Sequence, residues 1–360
     1  RVMAYTTINK STEHFNTVTY TGNSTDNRTV TGVGFQPDWT WIKLRNSVSQ
    51  HELFDAVRGA NKPISSNLTT AESTETNRLK SFDSDGFTLG TGTAVNGGYN
   101  FVSWNWKAAN SAGSSNSDGS ISSTVSANTT AGFSIVKWTG DGTKAATVGH
   151  GLGVKPAMII ARDYAQSKHW FVYHQHLTDN YVMTLNSNEE EKTGDNYWGS
   201  GSLMKSGSYP TTTTFSFNGS SSSVTNINGN GYANIAYCFV EKTGFSKFGT
   251  FTGNGSTNGP FVFCGFKPAW VMIKAVNLAS QNWTIFNNGL NTFNEMTNTL
   301  QANSNGAEDG NTTYNDVDFV SNGIKITEDN DNVNKSGTKY IYMAFAEAPL
   351  VGSNNVPCTA

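Results

Sequence analysis

Three stretches of the sequence share one pattern: GFQPDWTWIK from Gly34 to Lys43, GVKPAMIIAR from Gly153 to Arg162, and GFKPAWVMIK from Gly265 to Lys274. Each stretch has a glycine, a proline three residues later, and then a run in which nearly every residue is apolar. Such a run is typical of a central strand that is covered on both faces. The pattern predicts that the chain contains three copies of one unit, each built around this strand.

Matching segments flank the shared pattern in every copy. A glycine-containing turn precedes it: YTGN from Tyr20, WTGD from Trp138 and FTGN from Phe251. A second segment follows it: HELFDAVRG from His51, HWFVYHQHL from His169 and NWTIFNNGL from Asn282. Each copy ends on a run with the period of two that is typical of a strand: FVSWNWKA from Phe101, NIAYCFVE from Asn234 and YIYMAFAE from Tyr340. The repeat therefore spans several strands.

The composition favours an all-β fold. Charged residues make up 14% of the chain, against about 25% in typical soluble domains. Gly, Ser, Thr and Asn take their place, and these are residues of turns and short strands. Aromatic residues reach 12%, which is enough to form a core. Turns at intervals of about 8 to 12 residues predict that each copy is a β-sandwich or jelly roll.

We therefore predict three tandem jelly-roll-like β-sandwich domains, at residues 1–108, 133–244 and 245–360, the last with a C-terminal tail. Residues 109–132 are rich in Ser, Gly and Asn and are predicted to be a linker. Such a linker is either flexible or laid along a neighbour as an extended strand. The second and third copies follow one another almost directly, so we expect them to pack rigidly together.

Several side chains are predicted to lie in the core. Trp39 and Trp270 belong to the apolar strands, and the proline of each copy is expected just before its strand, where a missing N–H costs nothing. The three cysteines, Cys238, Cys264 and Cys358, form no pair with metal-site or disulfide spacing. Cys238 and Cys264 stand in apolar runs and are expected to act as small buried hydrophobes.

Charge and hydropathy argue against two classes of partner. The net charge is −3 and there is no Lys/Arg run, whereas nucleic-acid binding needs clustered basic residues. No run of about 18 apolar residues is present, so membrane insertion is not expected. No signal peptide is predicted at the N-terminus.

We expect no enzymatic activity and no cofactor. The adjacent residues Glu189, Glu190 and Glu191 are interpreted as a solvated face and not as a catalytic pair.

Two weak metal candidates remain. His174 and His176 have the spacing that places two rings on one face of a strand. Asp329 and Asp331 offer alternating oxygens suited to calcium, without the glycine and distal glutamate of an EF-hand loop.

A glycan site needs an exposed aromatic plane beside amide and carboxylate groups. The loop from Thr193 to Ser202 supplies these groups, with Tyr197 and Trp198 as aromatic planes and Asp195 and Asn196 as hydrogen-bonding partners. Loops at the ends of a sandwich often carry recognition. We predict that this loop is the ligand-binding site; packing of Trp198 under its own turn is the alternative.

Three long segments of the chain carry a family resemblance: GSISSTVSANTTAGFSIV from Gly119, AYCFVEKTGFSKFGTFTGNGSTNGPFVFCGFKPAWVMIK from Ala236, and YIYMAFAEAPL from Tyr340. They resemble a domain repeated in structural proteins of marine and other tailed phages, which are often described as tail-fibre or tail-associated proteins. The resemblance covers nearly the whole chain. It implies a location in the virion and implies no catalytic residues.

We therefore expect a phage virion structural protein of the tail-fibre or host-contact type. A host surface glycan is its candidate ligand. The alternatives are a capsid decoration protein and a secreted or surface carbohydrate-binding protein of a bacterium; a polysaccharide depolymerase is less favoured. The expected partners are other virion proteins and further copies of the chain. A trimer is favoured, because virion appendages commonly use closed cyclic symmetry.

Overall fold

The structure is a computed structural model, and it describes residues 6–193, 210–216, 227–310 and 316–349. Within these residues the regular structure consists of strands, apart from a 3-10 turn at Ser11–Glu13 and a short helix α1 at Thr93–Asn96. The prediction of an all-β, sandwich-like fold is confirmed. No helix in this part of the chain is long and apolar enough to cross a membrane.

The first repeat folds into two facing sheets. Its strands are β1 (Phe15–Thr21), β2 (Arg28–Thr31), β3 (Trp39–Leu44), β4 (Glu52–Asp55), β5 (Gly59–Ile64), β6 (Leu79–Asp83), β7 (Gly86–Leu89) and β8 (Asn100–Trp106). The inner sheet, defined as the one that contains the shared apolar strand, has the order β1-β8-β3-β4-β5. The outer sheet has the order β2-β7-β6. The first and last strands are neighbours in the inner sheet.

The strands of the second repeat are β11 (Phe133–Thr139), β12 (Thr147–Gly149), β13 (Met158–Asp163), β14 (Phe171–His174), β15 (Tyr181–Thr184), β16 (Lys192–Thr193), β17 (Thr214–Ser216) and β18 (Ala233–Phe239). Two strands precede them, β9 (Ser114–Asn116) and β10 (Ser123–Asn128). The inner sheet has the order β16-β15-β14-β13-β18-β11-β10-β9, and β12 pairs with β17 in the outer sheet.

The strands of the third repeat are β19 (Ser246–Thr252), β20 (Phe261–Phe263), β21 (Phe266–Ala275), β22 (Thr284–Asn287), β23 (Thr299–Gln301), β24 (Val317–Val320), β25 (Gly323–Ile326) and β26 (Lys339–Pro349). The inner sheet has the order β19-β26-β21-β22-β23, and the outer sheet has the order β20-β25-β24. In all three inner sheets the first strand, the last strand and the shared strand lie side by side in the same order.

The three inner sheets enclose one common core. A single hydrophobic cluster contains buried residues of every repeat. Ring contacts join each pair of repeats: Trp39 to Tyr237 with centroids 4.2 Å apart, Trp106 to Trp270 at 5.8 Å, and Phe239 to Phe345 at 6.2 Å. A separate, smaller core lies between the inner and outer sheets of each repeat. Seven of the eight described tryptophans lie in the shared cluster, whereas Trp138 lies in the separate core of the second repeat.

The residues predicted to be core residues are buried. Trp39 and Trp270 are 1% and 0% exposed, and Cys238 and Cys264 are buried free thiols. One expectation needs correction. Pro268 lies inside β21 and not before it, at a point where the register of β21 against β26 shifts. A bulge of this kind tolerates proline, because the residue there does not donate to the ladder.

The segment 109–132 is laid along the second repeat as extended strands. β10 pairs with β11 over its whole length, and β9 pairs with β10. Between them, Ile121 forms a parallel bridge with Val148 of β12, and its N–H donates to the Thr147 carbonyl at 3.0 Å. The segment therefore covers one edge of the inner sheet and one edge of the outer sheet.

Candidate functional site

The residues that the sequence predicts as a glycan site, Asp195, Asn196, Tyr197 and Trp198, lie outside the described residues, and so does Cys358.

The His174 ring is held by the protein on both nitrogens. Its Nε2 lies 3.3 Å from the Tyr342 carbonyl oxygen, and the His176 N–H donates to its Nδ1 at 3.3 Å. Burial, the neighbouring His176 and Lys339 lower the pKa of His174 to about 3, against the weaker effect of the Tyr342 carbonyl. A metal ion on this ring would have to displace one of these contacts. The geometry therefore indicates a structural role.

The aspartate pair is engaged in a surface turn. The Asp331 carboxylate lies 3.1 Å from Lys335 Nζ. The backbone carbonyl oxygen of Asp331 accepts a hydrogen bond from the Tyr340 hydroxyl at 2.7 Å. Asp329 is exposed, and its N–H donates to Glu328 Oε2 at 3.3 Å. Across the described parts of the chain, no group of three or more His, Cys, Asp or Glu residues is arranged to hold a metal ion.

His174 has an equivalent in each of the other repeats. The register places Asp55 opposite Trp39, His174 opposite Met158 and Asn287 opposite Trp270. Each of these side chains accepts a hydrogen bond from the N–H two residues later. Each also reaches the next repeat: Asp55 Oδ2 accepts the Tyr237 hydroxyl at 2.9 Å, His174 faces the Tyr342 carbonyl, and Asn287 Nδ2 donates to Thr17 Oγ1 at 2.9 Å.

A second set of equivalent side chains reaches in the opposite direction. His51, Trp170 and Trp283 lie directly before β4, β14 and β22. A ring nitrogen of each lies against a backbone carbonyl of the preceding repeat. Trp170 Nε1 donates to Ser65 O at 2.8 Å and Trp283 Nε1 to Thr184 O at 2.9 Å, and His51 Nε2 lies 3.0 Å from Gln301 O. The repeats are thus related by a cyclic, pseudo-threefold arrangement.

Each repeat also extends an arm over the following repeat. We define the arms as residues 65–72, 184–191 and 301–308. At the base of the arms Asn67, Asn186 and Asn303 accept the backbone N–H of His51, Trp170 and Trp283, at 3.1, 2.9 and 2.9 Å. At the tips the N–H groups of Glu72, Glu191 and Glu308 donate to the carbonyls of Tyr164, Val276 and Arg45, at 2.8, 2.8 and 2.7 Å.

The arms were not identified from the sequence, although a signal was present. An asparagine followed five residues later by a glutamate recurs at the same place in every repeat. Glu191, which the sequence analysis assigned to a solvated face, is one of these anchors. Its carboxylate also accepts the N–H and hydroxyl of Thr178, at 2.9 and 2.5 Å. Apart from this asparagine and glutamate, the three arms have dissimilar sequences. The apolar pattern that reveals the repeat does not extend into them.

A buried cation lies at an equivalent position of each shared strand: Lys43, Arg162 and Lys274. Arg162 donates to the Thr69 and Thr70 carbonyls of the first arm, both at 2.9 Å. Burial lowers the pKa of Lys43 to about 8. Burial also lowers the pKa of Lys274 to about 7, against the weaker effect of Glu190. Because all three repeats bury such a cation, it belongs to the common framework.

Because the repeats are related by pseudo-threefold symmetry, features that serve the fold can be distinguished from features of one repeat by comparing the three. Features present in all repeats serve the common fold, whereas an exposed apolar feature in one repeat is not required by it. The outer sheet of the third repeat has such a feature. Phe261 and Phe263 on its edge strand β20 are 50% and 60% exposed, and Val262 between them points into the core. We call this surface the outer face of the third repeat.

The Phe261 ring lies close to Gly323 and is half exposed. A Cβ atom at Gly323 of the neighbouring strand β25 would lie 3.1 Å from Phe261 Cε2. The same Cβ would lie 2.2 Å from the Val262 carbonyl oxygen, so the close approach of β20 is what requires glycine here. Half of Phe261 remains accessible to solvent and offers an apolar surface.

Polar groups lie beside this aromatic surface. Lys325 is the register partner of Phe261, and Asp318 is the register partner of Lys325, so both point to the same outer face. Lys325 Nζ donates to Asn258 Oδ1 at 2.7 Å and also to the Gly259 carbonyl. The outer face thus combines aromatic planes with an ammonium group, an amide and a carboxylate.

The equivalent face of the first repeat is hydrophilic. Val30 and Val262 are the buried residues of the equivalent edge strands, and Thr29 and Thr31 stand where the third repeat has its phenylalanines. In the second repeat Thr147 and Gly149 flank the equivalent Val148. The fold therefore does not require phenylalanine at these positions.

The sheets define an all-β, sandwich-like protein in which three sequence repeats share one core. Residues 10–349 match the family described as a domain of unknown function, DUF7483, and the chain belongs to this family. No curated protein matches the chain, and no solved structure matches it.

Proposed function

We propose that the chain is a structural protein of a phage virion, of the tail-fibre or host-contact type, and that it contacts a host surface glycan through the outer face of its third repeat. The observation that carries the glycan contact is the exposure of Phe261 and Phe263 at positions where the first repeat has threonines.

The chemistry of the outer face suits a sugar ring. An aromatic plane stacks on the C–H face of a pyranose, and the hydroxyl groups of the ring need fixed donors and acceptors at its edge. Lys325 and Asn258 provide such groups and are already held in place by their mutual hydrogen bond. Burying a phenylalanine contributes about 1.5 to 3 kcal/mol, so covering the two rings would contribute substantially to binding.

The virion location is supported by the resemblance to phage structural proteins and by the rigidity of the framework. Three sandwiches that share one core and are joined by reciprocal arms form a firm support for an exposed contact face. The same framework suits a capsid decoration protein. No step of the proposal requires catalysis, a cofactor or a metal ion.

Host binding tests the proposed contact face. We expect the double variant Phe261→Thr and Phe263→Thr, which introduces the residues of the first repeat, to bind host cells at least about tenfold more weakly. Both side chains are exposed, so the folded state should persist. The control is Thr29→Ala with Thr31→Ala on the equivalent face of the first repeat. Unchanged host binding by the double phenylalanine variant would refute the proposed contact.

The location is tested separately by immunogold electron microscopy of purified particles. We expect label on the tail. Label over the capsid would favour a decoration protein, and unlabelled particles would favour a secreted carbohydrate-binding protein. The appearance of new reducing ends after incubation with host polysaccharide would contradict the non-enzymatic assignment.

A further inference from the structure

The third repeat carries a second feature that the other repeats lack. The connection between the fourth and fifth strands of the inner sheet comprises residues 56–58 in the first repeat, 175–180 in the second and 288–298 in the third. The longer connection carries Phe293, which is 80% exposed. This is the largest exposure among the large hydrophobic residues of the described parts of the chain.

The loop 288–298 is fixed by its own side chains. Asn294 Nδ2 donates to the Phe319 carbonyl at 3.1 Å, and its Oδ1 accepts the Phe319 N–H at 2.9 Å, as a strand neighbour would do. The Asn298 N–H donates to Asn291 Oδ1 at 2.7 Å, and its side chain donates to the Leu290 carbonyl at 3.2 Å. The exposed ring therefore projects from an ordered support.

A cavity of about 380 Å³ lies beside this ring. The buried side chains of Met296 and Phe319, 3% and 2% exposed, contribute apolar surface to its lining, and Phe293 contributes an aromatic wall. Small-molecule sites typically measure about 300 to 1,000 Å³ and combine apolar walls with a few polar groups. The volume of this cavity lies within that range, and its lining combines three apolar side chains with five polar ones.

The polar groups of the lining indicate a neutral ligand. Lys267 Nζ and Glu347 Oε2 lie 2.9 Å apart and are about half exposed, so each compensates the charge of the other. A charged ligand would disturb this pair, whereas hydroxyl groups can bond to either member. Asn288 and Thr292 add an amide and a hydroxyl group to the lining.

We propose that this cavity binds a neutral hexose that carries an acetamido group. The sugar ring stacks on Phe293, the acetamido methyl group contacts Met296 and Phe319, and the hydroxyl groups bond to Lys267 and Glu347. The cavity is distinct from the outer face of the third repeat, because Phe261 and Phe263 do not line it. The inference therefore goes beyond the proposed host contact and can fail or succeed independently of it.

Calorimetric titration of the full chain with N-acetylglucosamine, and with glucose as the comparator without an acetamido group, tests this proposal. We expect N-acetylglucosamine to bind at least about tenfold more tightly than glucose. We also expect Phe293→Ala to weaken the binding of N-acetylglucosamine by about tenfold. The control is the double variant Thr29→Ala and Thr31→Ala on the outer sheet of the first repeat, which should bind it as the wild-type protein does.

Three results would overturn the inference: no binding of N-acetylglucosamine by the wild-type protein, equal binding of glucose, or unchanged binding by Phe293→Ala. The two proposals are separated by their variants. Loss of host binding in the double phenylalanine variant, with its N-acetylglucosamine binding intact, would support both sites as independent.

Discussion

At the scale of single residues, one structural task is performed by three different side chains. Asp55, His174 and Asn287 each accept the N–H two residues later and each reach the next repeat. A carboxylate, an imidazole and an amide can all serve, because each has an acceptor for the turn and a second polar atom for the neighbour. The identity of the residue then determines how the contact responds to pH.

His174 should make the stability of the protein depend on pH. Burial lowers its folded-state pKa to about 3, so only the unfolded chain binds the proton between this value and the ordinary pKa of 6.5. Stability is therefore lost as the pH falls below about 6.5, by about 1.4 kcal/mol per pH unit. Urea unfolding at pH 7, 6 and 5 should show a shallower decline in His174→Asn, the residue type of the third repeat, than in the wild-type protein.

Equal pH dependence of the wild-type protein and His174→Asn would show that this histidine is not held neutral in the fold. His51 and His150 are also buried, and their pKa values are lowered to about 3 and about 4, mainly by burial. They contribute to the pH dependence of both proteins. The comparison therefore isolates the contribution of one residue.

Burial at the residue scale could be predicted from the sequence, whereas hydrogen-bond partners could not. Trp39, Trp270 and the two cysteines stand in apolar runs, and these runs are local signals. The spacing of His174 and His176 is also local and suggested a metal site. The Tyr342 carbonyl that faces His174 is far away in the chain, so only the folded arrangement reveals the structural role.

At the scale of elements, the strands and the arms differ in how visible they are in the sequence. The strands can be predicted from the periodicity of apolar residues, and their sequences are similar in each copy. The arms are irregular, and their function depends on which repeat lies beside them. The tip of each arm adds a backbone hydrogen bond to the neighbouring repeat, so the arms join separate sandwiches in the way that ladder bonds join strands.

Removal of an arm anchor should destabilise the protein. In Asn303→Ala the Trp283 N–H loses its acceptor at 2.9 Å, and the third arm loses its support over the first repeat. An unsatisfied donor of this kind costs about 1 to 3 kcal/mol. The measurement is the free energy of unfolding in urea. Asn305→Ala, an exposed residue of the same arm, is the control and should change stability by less than about 0.5 kcal/mol.

A cost for Asn303→Ala no larger than that of Asn305→Ala would mean that the arm is held by its backbone contacts alone. The equivalent variants Asn67→Ala and Asn186→Ala extend the test. Similar costs at all three positions are expected from the pseudo-threefold arrangement.

At the scale of the whole molecule, the cyclic arrangement is closed within one chain. Each repeat contacts the other two through the common core, the reciprocal hydrogen bonds and the arms. The sequence predicts three similar units but carries no signal of this closure, because the residues that meet are far apart in the chain. The same apolar strand would be expected in three separate sandwiches. The expected trimer of chains stays a prediction, which light scattering can test.

The common core implies that the protein unfolds as one unit. Trp270 of the third repeat contacts Trp104 and Trp106 of the first, with centroids 6.1 and 5.8 Å apart. We expect Trp270→Ala to cost about 3 to 5 kcal/mol and to lower the stability of all three repeats together. Differential scanning calorimetry should show one transition in both proteins, with equal calorimetric and van't Hoff enthalpies. A variant in which the third repeat melts first, while the other two keep the wild-type transition, would show that the sandwiches are thermodynamically independent.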